Sequence, residues 1–202
     1  EKPMANTLED ADRMVTACRN ADVPLSCGAI STTHPSFAKA EGLIKAGVIG
    51  EIISMEVSKP GSQHQNWTYF LQSAPHWVIG IGDKDRHVGG SDEFVGQGIM
   101  VTYDGLVTHF RLGAPQLRIT GKSGELVHVP PNPGWELWQD IETNYSKGRV
   151  KIPWPGPQTG HYGALYSVSD VMDCLTGKLE EPKNSGRRVA IALEIEVALK
   201  KS

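Results

Sequence analysis

Apolar positions along the chain follow two spacings, helical near both ends and alternating in the middle. Leu8, Ala11, Met14, Val15 and Cys18 recur every three to four residues and predict a helix with one buried stripe. Asn6 or Thr7 caps it, and Glu9 and Asp10 fall in its first turn, where the helix dipole favours acids. Asp22 and Pro24 punctuate the chain after Asn20, and 23–29 reads as a short buried strand. A second helix opens at Thr33-His34-Pro35 and turns Phe37, Ala40, Leu43 and Ile44 to one side. Gly47 stops it, because glycine enters the left-handed region without a Cβ penalty. Residues 49–57 follow as a strand with Ile53, Met55 and Val57 on one face. The polar 59–65 and the glycine-rich, charged 80–91 are predicted loops.

From Phe94 the period becomes two. Residues 99–103 and 106–110 flank Asp104-Gly105, a pair suited to a two-residue type I′ hairpin turn. Residues 117–120 and 126–129 form a second hairpin across 121–124, and 135–138 and 150–152 add further strands. Helical spacing then returns. Tyr162, Leu165, Val168, Met172 and Leu175 mark a helix ending at Gly177, and Ser185 caps a last one. That last helix is apolar most of the way round, the pattern of a helix buried on two sides. The expected fold class is α/β (α+β), with an open, mostly antiparallel sheet and helices on one face. The first helix and 23–29 make one α/β unit, which cannot cover both faces of its own strand.

Composition narrows the partners. The 202 residues are 39% apolar and 21% charged, ordinary for a folded chain, and the net charge of -3 offers no basic footprint for nucleic acid. No apolar run reaches bilayer length, and no membrane partner is expected. The three cysteines, Cys18, Cys27 and Cys174, have no C-x-x-C spacing, so reduced thiols in a cytoplasmic protein are expected. Seven histidines lie at no metal-ligand spacing, and no metal site is expected. Gly80-Ile81-Gly82 lacks the third glycine and the acidic residue of a dinucleotide fingerprint, which excludes it as a phosphate turn.

The candidate chemistry begins at Glu1-Lys2-Pro3. Pro3 biases Lys2 toward an extended conformation, which aims a lysine into a cleft at the mouth of the first helix. From this motif on, the chain resembles the glucose–fructose oxidoreductase / inositol dehydrogenase (Gfo/Idh/MocA) family. Further resemblance lies in 34–52, with its G-x-I-G-x-I turn, and in the G-x-x-G-x-L of 121–126. The resemblance implies that 1–30 is the end of a dinucleotide-binding Rossmann domain and 31–202 a substrate and oligomerisation domain. It implies NAD or NADP as cofactor, with Glu1, Lys2 and Pro3 against it, and a sugar, inositol or related polyol as substrate. Lys2 matches the lysine beside the nicotinamide and the substrate oxygen, which makes it a catalytic candidate. The family's D-x-G-x-H helix, aligned on His76, puts Gln72 at the aspartate and Ala74 at the glycine. His76 is the second catalytic candidate, and the departures weaken its support. Trp67, Tyr69, Gln72, Trp77 and Tyr162 are candidates for lining a sugar-sized cleft, against the alternative that the aromatics fill the core. A homodimer or homotetramer through the open sheet face is implied as well. The competing expectation is a non-catalytic sugar-binding or dimerising module without the cofactor domain.

Overall fold

A computed structural model describes residues 2–28, 32–61, 65–82, 96–129, 134–157 and 163–202. Helix α1 (Leu8–Asn20) starts at Thr7, whose extended backbone lets Oγ1 accept from the Asp10 amide at 3.1 Å. Helix α2 (Pro35–Lys45) is capped by His34, whose Nδ1 accepts from the Ser36 amide at 3.1 Å. Gly47 closes it at φ 73°. Between the two helices the expected strand over 23–29 is reduced, in 23–28, to one antiparallel bridge from Ser26 to Ser185. Leu25 and Cys27 still use their polar groups there, on the Gly186 amide and the Asn184 carbonyl.

Among the described residues, eight strands form one sheet in the order β2-β3-β4-β1-β5-β6-β7-β8. They are β1 (Ile52–Val57), β2 (Pro75–Gly82), β3 (Gly96–Thr102), β4 (Val107–Arg111), β5 (Leu117–Gly121), β6 (Gly124–Val129), β7 (Gly134–Glu142) and β8 (Lys147–Ile152). Only β1 with β4 is parallel, and every other pair is antiparallel. This is the open, mostly antiparallel sheet that the alternation predicts. Three details differ. Residues 80–82 continue β2 instead of forming a loop. The β3–β4 connection is not type I′: Gly105 is left-handed at φ 88°, Asp104 is not, and the Gly105 amide donates to Thr102. That is a type I turn closed by a glycine bulge, which sends the chain back with three loop residues. A register shift between Ile52 and Ser54 turns Ile53 to solvent while Met55 and Val57 stay buried.

The inner face of the sheet carries Met55, Val57, Met100, Phe110, Leu117, Ile119, Leu126 and Leu137. Phe37 and Ala40 of α2 and Ala192, Ile195 and Leu199 of α4 (Gly186–Lys201) complete that core. Leu199 lies so close to β3 that a Cβ on Gly98 would come within 2.4 Å of it. Helix α1 packs on α4 through a second cluster of Met4, Ala11, Cys27, Val189 and Leu193. So α4 is buried on two sides, between sheet and α1, as its all-round apolar pattern requires.

No helix covers the outer face among the described residues, and that face is divided. On β2 it exposes Trp77, Ile79 and Ile81, with Ile99, Val101 and Val107 alongside on β3 and β4. From β1 to β8 it is ionic. Glu56 bonds Arg118 at 3.0 Å, and Arg149 joins Glu125 at 3.0 Å to Asp140 at 2.7 Å. Helix α3 (Gly163–Leu175) reverses the expected sense of its stripe. Leu165, Val168, Met172 and Leu175 point to solvent, while Tyr166, Ser167 and Asp170 face the chain. No helix among the described residues is long and apolar enough to cross a membrane.

Candidate active site

Lys2 is exposed at the entrance to α1, and its peptide bond to Pro3 is cis. Two residues on, Met4 is buried in the cluster that holds Val189 and Leu193 of α4. Lys2 therefore belongs to the helical side of the sheet. An exposed ammonium at the start of a helix, on a segment anchored by the next residues, suits a group presented to a ligand. Pro3 is also exposed, and Glu1 lies outside the described residues.

His76 is elsewhere. The stretch expected to be its helix is a 3-10 helix (Gln65–Phe70), a short connection and strand β2. His76 occupies the irregularity between Pro75 and Trp77, and its exposed ring lies 4.4 Å from that of Tyr103. Tyr103 is an exposed residue of the β3–β4 turn, and Trp77 and Ile79 alternate outward while Gly80 meets Leu199 on the inner side. His76 and Trp77 thus stand together on the outer face, with the sheet between them and α4. Lys2 and His76 are not brought to one site. Short alternating runs do not distinguish helix from strand well, and here Val78-Ile79-Gly80-Ile81 pairs with β3 residue by residue.

The other candidates are also dispersed. Trp67 is wholly buried, donates from Nε1 to the Pro60 carbonyl at 3.2 Å and sits 5.3 Å from the Phe110 ring, so it fills the core. Gln72 lines a surface groove of about 500 Å³ with Phe70, Asp104, Glu51 and Lys122, at the end of the sheet where β1 begins. Tyr162 lies outside the described residues.

What the sequence reading missed is a set of buried polar groups on the helical side. His34, Thr32, Thr33, Ser36, Asn184, Ser185 and Asp170 are all buried where 32–36 meets α3 and the start of α4. Thr32 donates to Asn184, and Asp170 accepts from Lys183 Nζ at 2.9 Å and from its amide at 3.2 Å. Burial pushes the His34 imidazole below its ordinary range, which keeps Nδ1 free to accept from Ser36. Tyr69 donates to Glu41 at 2.8 Å beneath the Arg188 guanidinium, 5.3 Å from its ring centre. Burial, and then the carboxylate of Glu41, raise the Tyr69 phenol well above its usual range, so it stays a donor. Burial alone would raise Glu41, but hydrogen bonds from Lys45 and Tyr69 outweigh it and hold the carboxyl low. Thr33-His34-Pro35 and Ser185 read from the sequence only as helix starts, and Tyr69 only as a cleft aromatic, so their polar contacts had no local signal. Among the described residues no three His, Cys, Asp or Glu side chains converge as metal ligands.

No family model matches the chain. One stretch of 65 residues is 40% identical to the 2,7-anhydro-N-acetylneuraminate hydratase of Escherichia coli K12, covering 32% of this chain and 18% of that enzyme. Solved structures match throughout. A Desulfitobacterium hafniense protein named as an NADPH-dependent oxidoreductase aligns with all of the chain and 68% of its own, at TM-score 0.72 and 17% identity. The aldose-aldose oxidoreductase of Caulobacter crescentus, solved with glycerol, matches 99% of the chain and 69% of its own, at TM-score 0.68 and 18% identity. The WlbA dehydrogenase of Bordetella pertussis, solved with NADH and UDP-GlcNAcA, matches 100% and 67%, at TM-score 0.61 and 18% identity. From end to end, this chain has the fold of the Gfo/Idh/MocA-type NAD(P)-dependent oxidoreductases, over about two thirds of the length of those solved chains.

Proposed function

We propose that the protein is an NAD(P)-dependent oxidoreductase acting on a sugar or polyol, with Lys2 exchanging the proton at the substrate oxygen. The observation that carries this is Lys2 itself: an exposed lysine before α1, at the Glu-Lys-Pro position, on a chain that has this fold throughout. In this reading 1–30 ends the nucleotide domain and 31–202 forms the substrate domain. Glu1, Lys2 and Pro3 would lie against a nicotinamide, which would supply the hydride chemistry when bound. The chain's own part is to hold the ammonium of Lys2 within hydrogen-bond reach of the reacting hydroxyl or carbonyl, where its proton moves as that oxygen changes charge. NAD and NADP both remain candidates. The geometry favours moving His76 and Trp77 out of the reaction and into a homo-oligomer contact, built on the apolar half of the outer face.

Nicotinamide absorbance with a panel of sugars and polyols tests the reading in the full-length protein. Lys2→Ala is expected to lower kcat by about 10²-fold or more, the usual effect of removing a general acid/base group, and His76→Ala by much less. Loss of turnover in His76→Ala with Lys2→Ala intact would reverse the assignment. The similarity to a hydratase supports a second reading on the same scaffold, in which water is added to or removed from the sugar. Product analysis separates the two: net hydration leaves the nicotinamide balance unchanged, and oxidation does not.

A further inference from the structure

Helix α3 keeps its polar side inward. Tyr166 lies edge-on to the His34 ring at 5.4 Å, Ser167 Oγ is 3.4 Å from Thr33 Oγ1, and buried Asp170 holds Lys183 at 2.9 Å. These contacts fix the rotation of the helix and leave its apolar stripe outside. Leu165, Val168, Met172 and Leu175 are 68%, 62%, 52% and 62% exposed, and no segment among the described residues covers them. Singly scattered apolar residues are ordinary on a surface, but four in one row mark a contact.

Spacing says what kind of contact it is. The stripe steps by three, four and three residues from Leu165 to Leu175. That is the a/d seam of a helix packed on another helix, narrower than the stripe of a helix lying on a sheet. The stripe is also symmetric, since Leu165 with Leu175 and Val168 with Met172 are both centred on residue 170. Two copies of α3 laid antiparallel about a two-fold axis at that point set Leu165 against Leu175 and Val168 against Met172. Each contact is then made twice, as an isologous interface requires.

Charge does not oppose this pairing. The two acids of the helix are both engaged within their own chain, Asp170 with Lys183 and Asp173 with Lys178 at 3.2 Å. Ser169 and Thr176, exposed beside the seam, are uncharged. Antiparallel helices also place each positive N-terminus beside a negative C-terminus. At these exposures the stripe offers on the order of 400 Å² per copy, about half of the ~800 Å² per partner in a standard interface. Beyond Leu175 the apolar surface continues into a groove of about 890 Å³ walled by Val15, Val23, Pro24 and Leu25. An association of this size is weak and reversible.

We propose that α3 is a self-association surface, on which a second copy of this chain packs its own α3 antiparallel. The contact is distinct from the one on the outer sheet face and does not depend on the reaction. Two different two-fold contacts on one chain close a tetramer.

Sedimentation velocity on the full-length protein, over a range of micromolar concentrations, tests this. The mass is expected to rise with concentration. Val168→Glu with Met172→Glu sets four carboxylates into the paired seam at positions exposed in the single chain. It should hold the melting temperature and weaken the association about tenfold or more. Cross-linking tests the register with substitutions that leave the helix apolar. Chains with Val168→Cys mixed with chains with Met172→Cys, oxidised with diamide, should give a covalent dimer. Either variant alone should give no more than the wild type with its native cysteines. A wild type that stays monomeric overturns the proposal, and so does unchanged association in a folded acidic variant. If the acidic variant does not fold, the cross-link decides: absence of the mixed dimer, or equal yield from either variant alone, overturns the antiparallel pairing.

Discussion

Lowering the pH should destabilise this protein through His128, a residue no part of the proposed reaction uses. His128 is 3% exposed on β6, between Phe37 at 5.1 Å and Trp135 at 5.0 Å, and its Nδ1 has no hydrogen-bond partner. Burial in this aromatic box lowers its pKa to about 4 from an ordinary 6.5. The folded protein holds the ring neutral, so the unfolded chain takes the proton first as the pH falls. The stabilisation is complete above the unfolded pKa and drains away from 6.5 toward about 4. With one pKa unit worth about 1.4 kcal/mol, the loss is roughly 2 kcal/mol by pH 5 and roughly 3 kcal/mol by pH 4. Against a typical total of about 5–15 kcal/mol, that is a large share. The assay is urea unfolding at pH 7.5 and 5, for the wild type and for His128→Leu, which is close in volume and cannot be charged. His34, also lowered by burial, and the surface carboxylates are common to both chains and cancel in the comparison. The wild type should lose about 2 kcal/mol more than the variant, a midpoint difference of about 1 M urea at an ordinary slope. Equal pH dependence in the two chains, or a ring that titrates near 6.5 in the folded state, would refute the reasoning.

Further outcomes follow from single contacts. Gly121→Ala should destabilise by the upper part of the usual 1–3 kcal/mol range for overpacking, or about 3 kcal/mol, because the new Cβ would lie 2.1 Å from the Ile49 carbonyl oxygen and backbone cannot step aside. Thermal or urea unfolding reads it. Tyr69→Phe removes the donor to Glu41 and should cost about 1.5 kcal/mol by the same measurement. Thr7→Ala removes the cap of α1 and should cost about 1 kcal/mol. Ile79→Lys with Ile81→Lys should shift light scattering toward the monomer if the apolar half of the outer face joins subunits, and leave the mass unchanged if it does not.

Much of the architecture was legible in local pattern. Thr7 and His34-Pro35 mark where α1 and α2 begin, Gly47 marks a stop, and 117–129 alternates as a hairpin, because caps, turns and period act within a few residues. Direction was not legible. Leu165, Val168, Met172 and Leu175 keep helical spacing in either orientation, and only the polar partners of Tyr166, Ser167 and Asp170 turn that stripe outward. Ile53 alternates with Met55 in sequence, yet one bulge puts them on different faces. The candidate site divides in the same way. Lys2 is marked in the sequence by its place before Pro3 and the first helix. His76 is placed by pairing between β2 and β3, on the far face of the sheet. Spacing along a chain determines which residues can share a face. Which face is buried, and which polar groups meet there, is settled by contacts between segments far apart in sequence, and no short-range rule contains those.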